Sequence, residues 1–479
     1  MRTGIIERMM ATLWLTTFVW WSSAVVAAAA QAPIDLSAFL EHGDPWGQKA
    51  TVFMRSVNQP NAVRSFDWIS EDARDEARYP KWTNSPEVTL WGFKVWESLA
   101  QFKDGALVRL KVSLYNRGDV EVKDGPTGMI CGQKQITHLL RAVDARLVQW
   151  CGHKGKDIRS GSVRAKGVTA HERRFLKGDE SLACMMWSYS GQSRDALVLE
   201  YVTLVFESLT PENNPRFPQA RHRSTVRDPR RPTAKGLAAH VTRTVHGDVY
   251  IDEFPMVDQG AKGYCAVATV ERILRYYGRE VDQHVLAQLA ESSGRLGTSM
   301  QALYKALRKA GAQLGISVRN LQGIEPEIEE WRKLAGDYNR QARREHKSKI
   351  TEEQWASTSD GVVTYNFGDL IDAFDWDVYT HYKLKREQYE LKKFRKYVKE
   401  NIDAGVPLVW SVILGKVPEP RLAQVGGGHM RTIIGYNEKN DEIIYSDSWG
   451  PGHEFKKMPA PVAFTITTQL NLLAPRLRR

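Results

Sequence analysis

The stretch Val257-Asp258-Gln259-Gly260-Ala261-Lys262-Gly263-Tyr264-Cys265-Ala266-Val267-Ala268 places a cysteine where an apolar helix begins. A thiol in the first turn of a helix faces the positive end of the macrodipole, which favours thiolate and makes the sulfur a nucleophile near neutral pH. Gly260 and Gly263 let the preceding backbone turn tightly. Gln259, six residues upstream, carries an amide donor suited to an oxyanion. The competing reading is that Cys265 is a small buried hydrophobe. His429 follows the three glycines Gly426 to Gly428 at the mouth of an apolar strand, where a general base would have access to a reacting group. Asp447 stands 18 residues later, at the end of a second apolar stretch from Ile443. If the two stretches pair as a hairpin, Asp447 can hold the second nitrogen of the imidazole. Asp441, at the start of the second stretch, is the alternative carboxylate.

These side chains need particular elements to position them. Val267, Val270, Ile273, Leu274 and Tyr277 share one face of a helix that starts at Cys265 and stops at Gly278. A second helix from Ser299 to Ala310 is expected to close at Gly311, and Leu391, Phe394, Val398 and Ile402 mark a third. Leu408 to Leu414, Met430 to Gly435 and Glu442 to Ser446 read as strands. The fold class expected is therefore α+β, with helices first and an antiparallel sheet after them. Glu325 to Ser357 is a charged helical insertion.

Taken in order, Gln259 with Cys265, His429 followed by Gly435-Tyr436, and Asp447-Ser448-Trp449-Gly450 resemble the papain-like cysteine peptidases. The Cys-Ala-Val-Ala start and the aspartate in third place are closer to the bacterial branch that includes the double-glycine leader peptidases. The resemblance covers roughly residues 248–467. It implies Cys265 as nucleophile, His429 as base and then acid, Asp447 as orienter and Gln259 as oxyanion donor. It implies a peptide or protein substrate and no cofactor or metal. The papain signature has a second cysteine and an aromatic around the nucleophile, and papain has asparagine where Asp447 stands, so papain-type substrate preference does not carry over. A papain-like scaffold without turnover that binds peptide, and a transglutaminase-like acyl transferase, are the alternatives.

The rest of the chain sets this region in context. It has 479 residues, 42% of them hydrophobic, and a formal charge of +11, enough apolar material for packed cores and too little cysteine (four) for a disulfide scaffold. Residues 1–30 combine a basic start, an apolar run and small residues at the end, as in a cleaved secretory signal, which implies a secreted or periplasmic protein. An uncleaved membrane anchor is the other reading. Residues 31–210 read as a separate N-terminal α+β domain, with a strand at Leu107 to Tyr115, a helix at Gln133 to Gln149, and further strands at Ala50 to Val57, Val88 to Trp96 and Leu197 to Phe206. Residues 211–247 form a basic, proline-rich linker able to contact an anionic surface, and residues 248–479 the papain-like domain. Cys131, Cys151 and Cys184 are expected to give one disulfide and one buried thiol. Cys151 with His153 is too sparse for a zinc site. His381 and His453 read as ordinary histidines. The basic run from Lys383 to Lys399 is read as a solvated helix face, with no nucleic-acid partner.

Overall fold

A computed structural model describes residues 33–477, apart from 42–44, 59–64, 71–73, 80–85, 159–168, 192, 194–195, 211–231, 280, 296, 325–326, 360–361 and 425. The expected signal at 1–30 and most of the basic linker lie outside the described residues. Residues 33–479 form one compact unit.

The N-terminal part is built on an eight-stranded antiparallel sheet whose centre is formed by Glu97–Lys103, Ala106–Asn116, Val198–Ser208 and Ser181–Ser190. Alternation puts Leu110, Val112 and Leu114 into the core, and an irregularity in the pairing with Glu97–Lys103 brings in Leu107 as well. The helix Gln133–Cys151 lies over the sheet through Ile136, Val143, Leu147 and Trp150. Two expected strands are corrected. Ala50–Val57 is a helix, because Phe53 and Val57, four residues apart, share the buried face while Val52 is exposed. Val88 to Trp96 is broken at Trp91 and Gly92, both with positive φ, so that Val88–Leu90 turns back on Phe93–Lys94. The expected disulfide is also absent: all four cysteines are free thiols, Cys131 exposed, Cys151 and Cys265 half-buried and Cys184 buried.

The C-terminal part has a second antiparallel sheet in the order Val241–Arg243, Asp248–Ile251, Gly427–Asn437, Leu408–Leu414, Thr467–Pro475 and Ile316–Gly323. Glu442–Ser446 pairs with Gly427–Asn437 as the expected hairpin. The helix Cys265–Tyr276 packs on one side of the sheet, through Val267, Val270 and Leu274 against Val409 and Met430. Gln388–Asp403 packs through Leu391, Phe394, Val398 and Ile402. The α+β class holds, but helices and strands interleave: two strands precede the Cys265 helix, and Ile316–Gly323 lies between Met300–Leu314 and Ile328–Arg344. Sequence position alone hides this, because neighbours in the sheet are far apart in the chain: Asp248–Ile251 pairs with Gly427–Asn437, and Ile316–Gly323 with Thr467–Pro475. The helix expected to close at Gly311 continues through it and stops at Gly315, whose φ of 68° supplies the left-handed cap.

Candidate active site

Cys265 is the first residue of the helix Cys265–Tyr276 and keeps part of its surface open. The first amides of a helix have no partner within it, so this end presents both the dipole and free donors to whatever meets the sulfur. Thr269, one turn on, donates its hydroxyl to the Met430 carbonyl at 3.2 Å, tying the helix to the strand that carries His429. His429 is paired with Val412 in the sheet, two residues after Gly427 opens the strand. A Cβ at Gly428 would meet nothing within 4 Å, so the approach alongside the histidine is open as its glycines suggest.

The hairpin brings Asp447 to the imidazole. His429 Nε2 lies 2.5 Å from Asp447 Oδ1, and both side chains are fully buried. That bond leaves the buried Nδ1 as the nitrogen available to the thiol. Burial opposes charge on the sulfur, but the hydrogen bond and charge of His429 outweigh it, so the Cys265 thiol titrates below the ordinary cysteine value. Burial likewise opposes charge on the imidazole. The Asp447 carboxylate and the Cys265 sulfur more than offset it and hold His429 up at about 9. The Asp447 carboxyl is in turn kept well below the carboxylate range, despite its burial, by His429 and then Arg431. With proton affinity lowered on the sulfur and raised on the imidazole, the arrangement favours a thiolate beside an imidazolium. Asp441, the alternative carboxylate, instead forms a two-pronged, half-exposed pair with Arg395, at 2.8 and 2.5 Å.

Gln259 is buried and comes to the same place. Its backbone N–H donates to Ser448 O at 2.9 Å, and its side-chain oxygen accepts from Ser448 Oγ at 2.8 Å. The Lys262 carbonyl, which can only accept, fixes which end of the amide is nitrogen, through a 3.4 Å contact from Nε2. The four residues singled out from the sequence thus lie on one network: Cys265 with His429, His429 with Asp447, and Gln259 with the residue after Asp447.

Arg431, Arg272 and His284 are not singled out by the sequence, whereas Trp449 beside Asp447 is expected from it to shield the site from water. Arg431 donates from Nε to Asp447 Oδ2 at 2.8 Å and pairs with Glu419 at 2.8 Å, the arginine and aspartate side chains fully buried and the glutamate nearly so. Arg272, on the nucleophile's helix, donates to the carbonyl of Asp447 at 2.7 Å and to Ser446 Oγ at 2.5 Å. The Trp449 ring stacks on His429 with centroids 4.3 Å apart and an interplanar angle of 16°, which shields the imidazolium from water. His453, read as an ordinary histidine, meets Trp449 edge-on, and burial and the Lys456 charge push it down to about 4. His381 pairs with Glu345 far from this cluster in sequence and at the surface. A second buried histidine, His284, hydrogen-bonds Asn116 of the N-terminal sheet at 3.0 Å and meets Tyr264, the residue before the nucleophile. The Cys265 sulfur is governed by His429 rather than by His284. Among the described residues there is no group of three or more His, Cys, Asp or Glu able to hold a metal, and no helix long and apolar enough to cross a membrane.

Comparison with curated proteins gives no match. Among solved structures, xylellain, a cysteine protease from Xylella fastidiosa, aligns at 14% identity over 53% of this chain and 94% of its own, with a TM-score of 0.25, a likeness too slight to bear on the fold. The family described as Peptidase_C39 like family matches residues 251–467, the span that contains Gln259, Cys265, His429 and Asp447. Residues 251–467 thus match the Peptidase_C39-like, papain-type cysteine-protease family.

Proposed function

We propose that the protein is a secreted or periplasmic cysteine peptidase in which Cys265, His429 and Asp447 form the catalytic triad and Gln259 the oxyanion donor. One observation carries the reading: a helix-terminal thiol lies beside a buried imidazole whose far nitrogen is held 2.5 Å from a buried carboxylate. The Cys265 thiolate attacks the carbonyl carbon of a peptide bond. Gln259 Nε2 and the Cys265 backbone N–H bind the oxygen that becomes negative. The His429 imidazolium gives its proton to the leaving amine, and the C–N bond breaks to leave a thioester. Neutral His429 then takes a proton from water, whose oxygen displaces the sulfur and releases the acid. Asp447 keeps Nε2 occupied throughout, so that Nδ1 performs both proton transfers.

The signal-like residues 1–30 are what support export, with an uncleaved anchor as the other outcome. The partner is a peptide or protein substrate. The basic 211–247 stretch supplies electrostatic contact with an anionic surface, and its charge distribution favours no nucleic acid. Cys265→Ala is expected to abolish hydrolysis while leaving thermal unfolding unchanged. Selective alkylation of Cys265 by a low concentration of an electrophilic probe is expected in the folded wild type. Full activity in the variant, or an inert thiol in the wild type, excludes this mechanism, and the inert thiol favours a peptide-binding scaffold.

A further inference from the structure

The loop that carries Gln259 into the site is gripped from outside the peptidase family region. Lys262, three residues after Gln259, has its side chain only 1% exposed, yet its ammonium contacts no carboxylate of the family region. It reaches into the N-terminal part, 3.0 Å from Glu97 on the sheet and 3.1 Å from both oxygens of Asp119 on the helix Arg117–Lys123. Arg78 of the same sheet pairs with Glu97 and, at 3.2 Å, with Asp258, the residue before Gln259. The approach is close: a Cβ at Gly260 would stand 2.8 Å from the Arg78 guanidinium, and one at Gly118 would overlap the Tyr264 hydroxyl.

A buried lysine is stable only when paired, and a segment with two glycines has little stiffness of its own. On its inner side the loop is fixed by Ser448, and on its outer side by carboxylates of the N-terminal part, one on its sheet and one on a helix. An oxyanion donor has to be held within roughly 0.5 Å of its working position. Resting on the catalytic assignment above, we propose that Lys262 is a positioning residue for Gln259, and that Glu97 and Asp119 make the N-terminal part an obligatory component of the peptidase site. The N-terminal part is then no releasable inhibitor: its departure would strand Lys262 and free the loop.

The test uses the full chain carrying Lys262→Met. Hydrogen exchange over residues 256–264 is expected to quicken at least tenfold, while iodoacetamide alkylates Cys265 at the wild-type rate within a factor of two. Hydrolysis of fluorescein-labelled casein should lose at least tenfold in kcat with little change in KM. Adding Lys262→Met to Gln259→Ala should cost nothing further in kcat, because the loop then has no donor left to position. Unchanged exchange, or losses that multiply in the double variant, would overturn the proposal. If Lys262→Met does not fold, Asp119→Asn, at the more open edge of the cluster, should raise exchange about threefold, and no rise counts against it. A wild type that leaves casein intact and Cys265 unalkylated refutes the catalytic assignment, whereas exchange judges the grip on the loop by itself.

Discussion

His429 lies between two sulfur- and oxygen-borne negative charges, and its protonation sets the working range of the site. Its folded pKa of about 9 exceeds the roughly 6.5 of a free histidine, so the charge pair stabilises the fold fully below about 6.5, and that contribution is lost as pH rises through 9. Asp447 has the opposite sign: it is held low, so its contribution is present above the usual carboxylate pKa and lost as pH falls beneath it. The same pair predicts the rate profile. Activity is expected to rise with formation of the Cys265 thiolate, and to fall on the alkaline side near pH 9 as the imidazolium disappears. Asp447→Asn removes the main support of the positive ring, and should move the alkaline limb down by a unit or more, with roughly a hundredfold loss in kcat. A pH series of kcat/KM on both proteins checks this, and an unmoved limb would remove Asp447 from the role. Cys265, His429, Asp447 and Gln259 were legible in the sequence because each sits in a short local pattern: a cysteine at a helix start, a histidine after three glycines, a carboxylate closing a strand. Arg431 and Glu419 were not, since an arginine inside an apolar strand and a glutamate between two prolines carry no local sign of each other.

The elements hold these groups through buried polar ties. Arg431 on the histidine strand joins Asp447 at the end of the neighbouring strand to Glu419 in the preceding loop, with its guanidinium 4.8 Å from the Tyr445 ring. Arg431→Met would strip Glu419 of its paired cation and leave Asp447 paired with His429 alone. Breaking a buried pair in this way costs about 3–5 kcal/mol, far more than a surface pair is worth. The variant is expected to lose that much stability at pH 7 in urea unfolding. A loss below 1 kcal/mol at pH 7 would show that Glu419 and Asp447 relax without it. Arg272 does a related job between helix and hairpin, across 175 residues of sequence. Such contacts follow from the packed topology, which periodicity does not report. The error at Ala50–Val57 has the same origin: a short apolar run suits strand or helix equally, and only the buried Phe53 and Val57 decide.

At the level of the whole molecule, composition indicated enough apolar material for two cores, and the two large sheets provide them. It did not reveal how closely the two are joined. Besides Lys262 and Arg78, the junction includes Arg275 with Glu76 at 3.2 Å and Ser188 with Gln288 at 2.8 Å. Glu121 accepts from the Gly294 N–H at 2.8 Å. Paired buried charges are costly to separate, because each side keeps an unneutralised group. A protease site introduced between residues 211 and 231, cut in the folded protein, is therefore expected to leave two fragments that elute together and retain activity. Separate elution in ordinary salt would mean that the covalent chain alone holds them. These junction charges were illegible because Glu97 and Lys262 are 165 residues apart and each reads as an ordinary surface charge. The stack of Trp449 on His429 has a consequence of another kind. An imidazolium in face contact quenches indole emission, and a neutral imidazole does so much less. The protein has 15 tryptophans, but only His171 on Trp187 forms a comparable stack among the described residues, and burial holds that histidine below its usual value. A brightening of fluorescence near pH 9 that vanishes in Trp449→Phe would thus give the site its own optical gauge, reading the charge of His429 with no substrate present.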